Sequence, residues 1–398
     1  MKMRLSNNIR FSLFGLTVIL ALVCFKPKTA SNQSVDAVQI QSDEITLPQH
    51  LSFDDVALYD TLSFSNIIES VRYIPLDNST DALVANPSMI RLISNKYLIL
   101  SGSRRTAKTI KIFNPDGSYL TQPFLIGRGP NEVLFIGHFT GHDSTNLVTL
   151  SDMADKMLTY NITTGEIKGF KSNIDRFSYI TALPSGNYIS LRVGYDVPGR
   201  PNPVLFHLNQ DFEITDSVSD MKNRTQRAIE GVTEGNSLRS HIKAYKDGVI
   251  YLDMLSDTVF YVDDDLKFTP AVILDFGKKQ PTLHNSIYDS AKKKEEQIYI
   301  NDIDISGHYF FATYHYKGMF FESIWDLRTG KMVYSSHANV VGLFVRLNGF
   351  SGRLYGYGLS GNKIIAAVNA IDLLKDIPGL TPDDNSILVE ITLRSGIK

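Results

Sequence analysis

The chain of 398 residues contains a single cysteine, Cys24, which lies among the first 30 residues. The rest of the chain can therefore form no internal disulfide bond and requires no particular redox environment. Sustained helical periodicity is also scarce, whereas 22 Phe and 19 Tyr favour strands. These absences point to a β-protein that is stabilised by packing and hydrogen bonds alone.

No second long apolar run follows the run of 15 residues at positions 11–25. That length is short for a membrane span, which needs about 20 apolar residues. Lys2, Arg4 and Arg10 precede the run, and a positive segment before an apolar one is typical of an export signal. We therefore predict a signal segment at 1–30 and an exported protein of the cell envelope, either an outer-membrane lipoprotein or a periplasmic protein.

Cys24 ends the apolar run, at a position that suits lipid attachment after signal removal. A bacterial lipobox prefers a small residue before the cysteine, and Val23 departs from that pattern. Ordinary cleavage near residues 29–31 is the alternative, and it would discard Cys24. Residues 31–60 are predicted to be a tether and N-terminal segment. The only predicted membrane contact is a lipid on Cys24.

The chain also lacks an excess of positive charge. Its formal net charge is −2, and without residues 1–30 it has 35 Lys and Arg against 42 Asp and Glu. Proteins that bind nucleic acid normally carry a basic patch or stripe. The composition therefore argues against a nucleic-acid partner.

What the chain does contain is a strand pattern repeated six times. A polar turn precedes an aromatic or β-branched run, and the repeats lie between 41 and 61 residues apart. A further strand candidate lies upstream of each repeat, at 88–94, 135–141, 177–183, 239–245, 297–305 and 343–349. Repeated all-strand units of this length are typical of propeller blades, each of which needs neighbours to bury both faces. We predict one all-β domain, a six-bladed β-propeller, at 61–398.

The last repeat departs from the pattern. Residues 370–376 show a short helical period, so we predict a C-terminal helical turn there, followed by a closing strand at 387–393. The N-terminal strand at 71–76 could also join the ring, because Pro75 suits an edge or a strand end. The sequence leaves open which of the two strands seals the ring.

Three segments carry a resemblance to a known family: 71–76 (VRYIPL), 112–118 (IFNPDGS) and 127–132 (GRGPNE). With them, the chain over about residues 60–396 resembles bacterial exported six-bladed β-propeller proteins that are related to NHL-repeat and TolB-like propellers and are often lipoproteins. Asn131 and Val133 stand where that family typically has glycine and an aromatic residue. The resemblance implies an envelope-attached propeller and supplies no catalytic residues.

The candidate ligand-binding residues follow from their positions in the predicted blades. The glycine-rich link between the first two blades offers Arg128 and Glu132 as channel residues, or as residues that only fix the link. The predicted inner strands add five further candidates for the central channel: His138, Tyr179, His241, Asp302 and Arg346.

The motifs predict no catalytic residue, metal site or cofactor. His138 and His142 lie four residues apart, but Gly141 and the strand pattern disfavour the helix that a zinc motif would need. Asp302 and Asp304 would share one side of a strand, yet the segment lacks the glycine and distal glutamate of an EF-hand loop. The aromatic run at 309–321 is typical of a blade interface.

Two functional classes remain. The first is a non-enzymatic binding or scaffolding propeller of the envelope that recognises a glycan, a peptide or a protein partner, and the mixed charges of the candidate residues favour it. The alternative is an NHL-like metal-dependent hydrolase or lyase that acts at the central channel. That alternative requires His and acidic residues from several blades to converge.

Overall fold

The computed structural model describes residues 39–40, 45–46, 48–53, 64–102, 108–152, 156–171, 177–192, 203–219, 240–253, 256–280, 296–338, 342–347, 350–375 and 377–395. Cys24, the predicted signal segment 1–30 and most of the segment 31–60 lie outside these residues. All the described residues belong to one compact unit, Val38–Lys398. Its described helices are short 3-10 turns: Phe64–Ile67, Thr80–Ala82, Gly277–Lys279 and Ala370–Leu373.

Four short or N-terminal strands precede the first blade. They are β1 (Gln39–Ile40), β2 (Ile45–Thr46), β3 (Gln49–Ser52) and β4 (Ile68–Pro75). The first two pair with each other. The other two join later blades, because β3 and β4 are added to sheets that the chain forms downstream.

The first three blades are antiparallel sheets of four consecutive strands. Blade 1 contains β5 (Pro87–Ile93), β6 (Lys96–Ser101), β7 (Thr109–Phe113) and β8 (Tyr119–Thr121). A parallel pair, β9 (Leu125–Ile126) and β10 (Glu132–Val133), links it to the next blade. Blade 2 contains β11 (Ile136–His142), β12 (Leu147–Asp152), β13 (Lys156–Asn161) and β14 (Ile167–Lys171). Blade 3 contains β15 (Phe177–Ala182), β16 (Tyr188–Arg192), β17 (Pro203–Leu208) and β18 (Ile214–Ser219).

Blades 4 and 5 continue the pattern. Blade 4 contains β19 (His241–Tyr245), β20 (Gly248–Leu252), β21 (Thr258–Val262) and β22 (Phe268–Asp275), with β3 added parallel to β22 as a fifth strand. Blade 5 contains β23 (Tyr299–Ser306), β24 (Tyr309–Tyr316), β25 (Met319–Asp326) and β26 (Lys331–Ala338). The inner strands of blades 1 to 5 coincide closely with the upstream strand candidates of the sequence.

The last sheet runs in the order β27 (Leu343–Leu347), β28 (Phe350–Ser360), β29 (Lys363–Val368), β30 (Ile387–Leu393) and β4. The two ends of β28 have different partners, since 350–354 pair with β27 and 355–360 pair with β29. Gly356 and Gly358 lie directly against the backbone of β5, the inner strand of blade 1. The second half of β28 is therefore the inner strand of blade 6, and residues 343–354 form an extra hairpin.

This arrangement corrects the expectation for the sixth repeat. The sequence pattern placed the inner strand at 343–349, whereas the structure places it twelve or so residues later because the hairpin precedes it. Gly358 explains why the inner strand lies there, because a Cβ atom at residue 358 would lie 1.9 Å from the Ile90 carbonyl oxygen. Only glycine allows two inner strands to approach so closely.

Both strands proposed to seal the ring do so, in the same blade. β30 pairs antiparallel with β29 on one side and with β4 on the other, in the register Val389 opposite Tyr73. The predicted helical turn before β30 is the 3-10 helix Ala370–Leu373. The protein is thus a six-bladed β-propeller, as predicted, and its N-terminal strand completes its last blade.

A buried carboxylate reinforces this closure. Glu390 of β30 is 5% exposed; it accepts a hydrogen bond from Tyr97 of blade 1 (2.7 Å) and one from Lys363 (3.1 Å). Arg72 of β4 also donates to Tyr97 (2.7 Å). Burial alone would raise the pKa of Glu390, but the bonds from Tyr97 and Lys363 and the nearby Arg72 hold it below its ordinary value. The closing strands are thereby tied to the first blade.

The hydrophobic core is divided among the blade interfaces. Six clusters of buried side chains occur in the described residues, and each one joins two neighbouring blades. The cluster between blades 4 and 5 also receives Leu51 and Phe53 from the N-terminal segment. The Phe53 ring contacts Phe276, Tyr314 and Trp325 at centroid distances of 4.8, 5.3 and 4.8 Å.

We expect Phe53→Ala to destabilise the propeller by about 3–5 kcal/mol, because the ring is fully buried and its loss leaves a cavity. Equilibrium unfolding in guanidinium chloride measures this change. Phe135→Ala is the matched control, since the Phe135 side chain is 45% exposed and its loss should cost less than about 1 kcal/mol. Equal effects of the two substitutions would show that the N-terminal segment does not stabilise the ring.

Candidate functional site

The central channel opens into a cavity of about 510 Å³ at the ends of the inner strands. All six blades contribute to its wall. One lining residue from each blade in turn illustrates its polar character: Arg91, His138, Thr181, Lys243, Asp304 and Ser360. A concave site of this size, enclosed by six rigid strands, can hold a small ligand.

Each blade has a turn between its first and second strands, and the turns of blades 2, 4, 5 and 6 form part of the cavity rim. Each of the six turns contains a residue with positive φ: Asn95 (55°), Asn146 (53°), Gly186 (89°), Lys246 (54°), Gly307 (59°) and Gly361 (59°). Asn and Gly adopt such angles at low cost, and tight hairpins require them. In blades 2 and 5 the polar turn of the sequence repeat thus helps to shape the cavity mouth.

One side of the channel carries a network between blades 4 and 5. Lys243 Nζ lies 2.8 Å from Asp302 Oδ2, and His241 Nδ1 lies 3.6 Å from Asp302 Oδ1. The Asp302 side chain is 48% exposed. Burial within the ring would raise the pKa of Asp302, yet Lys243 and His241 lower it below its ordinary value.

The same surroundings keep Lys243 charged. Burial would lower the pKa of Lys243, but Asp302 and Asp304 together raise it above its ordinary value. Asp302 and Asp304 are two residues apart on β23, so both project toward the cation. Lys243 is therefore a fixed positive charge whose hydrogen bond is committed to Asp302.

Asp304 behaves differently from Asp302. Burial raises the pKa of Asp304 to about 6, with a contribution from Asp302, although Lys243 and Arg91 act in the opposite direction. A carboxyl group with a pKa near neutrality can accept or donate a hydrogen bond. Asp304 lines the cavity, so this capacity is available to a bound molecule.

His138 faces the channel from blade 2, with its ring edge-on to Tyr179 of blade 3 at a centroid distance of 5.6 Å. Burial lowers the pKa of His138 to about 3, and the positive charges of Arg91 and Lys243 lower it further than Asp302 raises it. The ring is neutral at physiological pH. Its buried Nδ1 atom has no hydrogen-bond partner among the described residues.

The sequence-predicted candidates fall into two groups. His138 lines the cavity, and Tyr179, His241 and Asp302 lie on inner strands beside it. The other three candidates, Arg128, Glu132 and Arg346, are not among the cavity-lining residues.

The two candidates in the link between blades 1 and 2, Glu132 and Arg128, lie outside the cavity wall. The Glu132 carboxylate accepts a hydrogen bond from Gly129 N at 2.8 Å, and Lys156 Nζ donates to Gly129 O at 3.0 Å. These bonds hold the link between blades 1 and 2. Arg128 in the same link is exposed to solvent.

Arg346 lies on β27 in the extra hairpin, where it is exposed and its guanidinium packs on the Phe344 ring. A buried acid holds that hairpin to blade 5: Glu322 accepts from Gly342 N at 2.9 Å. Burial, with help from Asp302, raises the pKa of Glu322 to about 7 despite the Gly342 bond and Arg353.

The sequence did not single out Arg91 and Lys243, although both lie on strands that it predicted. Lys243 occupies the position two residues after His241, and alternation places both on one side of β19. Adding the residue two positions after His241 on the same predicted strand would therefore have identified Lys243 as a candidate. Arg91 needed the three-dimensional structure, because nothing in its local sequence distinguishes it from a solvated strand residue.

His142 reaches the cavity rim, where its Nδ1 atom lies 2.9 Å from Ser144 Oγ. In the described part of the chain, no group of three or more His, Cys, Asp or Glu residues could hold a metal ion. The same residues include no helix that is both long and apolar enough to cross a membrane.

The low pKa of His138 makes a measurable contribution to stability. Between its ordinary value of 6.5 and the folded value of about 3, the unfolded chain binds a proton that the folded protein does not. This contribution is present above pH 6.5 and is lost as the pH falls toward 3. We expect His138→Gln to lack it, so that the variant becomes more stable relative to wild type as the pH is lowered. Urea unfolding between pH 4 and 8 tests this, and parallel curves would refute it.

One solved structure shares this fold, and two others are more distantly similar. A Bacteroides fragilis protein described as exported is 19% identical, with a TM-score of 0.63, over 87% of this chain and 99% of that one. A member of the DUF4221 family from Bacteroides vulgatus is 12% identical, with a TM-score of 0.48, over 82% and 97% of the two chains. BamB from Moraxella catarrhalis is 10% identical, with a TM-score of 0.42, over 82% and 100%. At these identities the likeness concerns the fold alone.

No protein with a curated description matches the chain. The model of one family, a domain of unknown function designated DUF4934, matches residues 53–392. That range includes Phe53, all six blades and nearly all of the closing strand. The chain belongs to the DUF4934 family.

Proposed function

We propose that this protein is a non-enzymatic binding propeller of the bacterial cell envelope, which recognises a glycan, a peptide or a protein partner at the mouth of its central channel. The observation that supports this proposal is the cavity of about 510 Å³ with a polar wall drawn from all six blades. Because the lining residues stand on paired strands and short turns, the site is formed before any ligand arrives. Preorganisation of this kind favours binding.

The wall combines the groups that ligand recognition uses. Tyr245 supplies partly exposed aromatic surface, while Asp304, Thr181 and Asn362 supply hydrogen-bonding groups. Binding sites typically pair apolar surface with a few polar groups that orient the ligand. The proposal therefore places the ligand against the inner strands, beside the turns of blades 2, 4, 5 and 6.

The envelope location rests on the N-terminal sequence. A positive segment and an apolar run at 11–25 precede Cys24, which suits either a lipid anchor or a discarded signal. The chain then joins the propeller at blade 4, where β3 pairs with β22. We place the protein in the same broad class as NHL-like and TolB-like envelope propellers, attached to the outer membrane through Cys24 or free in the periplasm.

One observation favours the enzymatic alternative. Asp302 and Asp304 lie on one strand in the channel, and their surroundings move their pKa values in opposite directions. Paired carboxyl groups with separated pKa values can serve as a base and an acid. A hydrolase or lyase of the NHL-like type would add a metal ion to this pair.

A thermal-shift screen of purified protein against neutral and charged glycans and peptides tests the binding proposal, because a ligand that binds only the folded protein raises its melting temperature. We expect Ser360→Tyr, which places a ring in the cavity wall, to abolish the shift. Ser351→Tyr, on the exposed part of the same strand and outside the wall, should leave the shift intact.

Two results would count against binding at the cavity. A ligand whose shift survives Ser360→Tyr binds elsewhere, and a screen with no shift removes the proposal. Metal analysis of the same preparation distinguishes the alternative, since zinc or calcium at one ion per chain would favour the enzyme.

Growth of an expressing bacterium with labelled palmitate tests the anchor. If Cys24 carries the lipid, the wild-type protein takes up label and sediments with membranes, whereas Cys24→Ala does neither. Absence of label from the wild-type protein would leave ordinary signal cleavage as the route of export. Either outcome is independent of ligand binding.

A further inference from the structure

The cavity wall carries more positive than negative charge. Its Lys and Arg residues are Arg91, Lys243, Lys246 and Arg394, and its acidic residues are Asp143 and Asp304. Asp302 pairs with Lys243 and Asp247 acts on Lys246, both from just outside the wall. The positive excess is felt locally at His138, where Arg91 and Lys243 each outweigh Asp302. The whole chain has the opposite bias, with a formal charge of −2. The cavity is thus a positive region in an acidic protein, and such a region attracts anions.

Most of the charged groups at the cavity already have partners. Lys243 is paired with Asp302, and Arg394 Nε donates to Ile68 O at 2.8 Å. Asp143 accepts a hydrogen bond from Ser94 N at 2.6 Å, and Lys246 packs on the Tyr245 ring. These groups are held by the protein itself.

Arg91 and His138 are the exceptions. In the described part of the molecule, the Arg91 guanidinium makes no hydrogen bond or ion pair, and the buried His138 Nδ1 lacks a partner. The charge of Arg91 acts on His138, and both side chains line the cavity, so the two lie in one part of the channel. A buried polar atom normally has a hydrogen-bond partner, so His138 Nδ1, with the partly exposed Arg91 guanidinium near it, marks a place for a ligand atom.

A guanidinium that faces a cavity matches a carboxylate, because its parallel N–H groups donate to both oxygens. The neutral His138 ring can donate one further hydrogen bond through Nδ1 in the appropriate tautomer. Binding of an anion here would also relieve the positive potential that the two cations impose on His138. The ligand group that fits Arg91 and His138 is therefore a carboxylate.

The remainder of the wall fits hydroxyl groups. Asp304, near the Arg91 side of the channel, can accept from or donate to a hydroxyl, and Thr181, Ser360 and Asn362 offer further partners. Tyr245, which is partly exposed and carries Lys246 over its ring, provides aromatic surface beside which a sugar ring can pack. A volume of about 510 Å³ accommodates one or two such rings.

We infer that the cavity binds an acidic sugar, a pyranose that carries a carboxylate, with the carboxylate held by Arg91 and His138 and the hydroxyl groups held by Asp304 and the hydroxyl and amide groups of the wall. This inference rests on the proposed binding function and specifies its ligand class. A free sugar and the end of a polysaccharide present the same groups, so both fit the site.

Isothermal titration with four probes tests the inference: galacturonic acid, its disaccharide, and the neutral analogues galactose and galactobiose. We expect the acidic probes to bind and the neutral ones to bind at least about tenfold more weakly, because they leave Arg91 without a partner. Tighter binding of the disaccharide than of the monosaccharide indicates that the site accepts a chain end. A tripeptide with a free carboxyl terminus and inorganic phosphate are the competing anions.

Arg91→Gln should weaken the binding of galacturonic acid about 10- to 100-fold, as expected for loss of a charge-assisted pair. Arg91→Lys keeps the charge but not the planar fork, so it should retain part of the affinity. Lys375→Gln removes one exposed positive charge outside the cavity wall and should leave affinity unchanged. Circular dichroism and melting temperature show whether each variant folds. If Arg91→Gln does not fold, Arg91→Lys serves as the test.

Four results would overturn the inference. Equal binding of galactose and galacturonic acid would refute the carboxylate subsite while it upholds a binding cavity. Binding of the tripeptide or phosphate in place of the sugars would refute the ligand class. Undiminished affinity in both Arg91 variants would refute the placement. If no probe binds, the acidic-sugar inference falls, whereas the wider screen decides the proposed function separately.

Discussion

The structure depends on one constraint: a four-stranded sheet has two faces to bury and only its neighbours to bury them against. The buried side chains of this protein form six clusters in the described residues, and each cluster spans two blades. A ring is the arrangement in which every such sheet has two neighbours. The ring must then be closed, and β4 closes it by pairing along β30 so that chain segments more than 300 residues apart share one sheet. The buried Glu390 accepts a hydrogen bond from Tyr97, and this contact forms only when blades 6 and 1 meet.

Ring closure also creates the candidate site. Inner strands from six blades surround a channel, and their side chains come together although they are distant in sequence. Four of the hairpin turns that the repeat requires become part of the cavity rim. The positive-φ residue Gly307 in one of them therefore serves both the folding of its blade and the shape of the site.

Much of the fold could be predicted because it repeats. The alternation of strands and the polar turns are local, so the sequence predicts five inner strands and the number of blades. The sixth blade could not be placed in the same way. The hairpin at 343–354 has the strand pattern of a blade, and only the contact of Gly358 with the Ile90 backbone shows that the inner strand begins after it. The choice between the two closing strands was likewise undecidable, because pairing between β4 and β30 is a property of the closed ring.

The candidate site was predictable to the extent that position along an inner strand determines it. His138, Tyr179, His241 and Asp302 are on such strands, whereas Arg346 follows the misplaced sixth strand onto the exposed hairpin. Charge state could not be read from the sequence at all. Asp302 and Asp304 have the same side chain, strand and face, yet Lys243 bonds only one of them. The pKa of Asp302 is consequently lowered while burial raises that of Asp304 to about 6.

That division has a chemical consequence for the channel. Lys243 donates its hydrogen bond to Asp302 and not to Asp304. Asp304 and Arg91 both line the cavity and keep hydrogen-bonding capacity toward it. An acceptor and a forked cationic donor then lie in one enclosed space, beside a neutral His138 whose Nδ1 has no partner among the described residues. A ligand that satisfies all three needs both a carboxylate and hydroxyl groups, whereas water alone would leave the positive potential at His138 uncompensated. In the proposed site, selectivity would be set by which charges the protein pairs internally and which it leaves open.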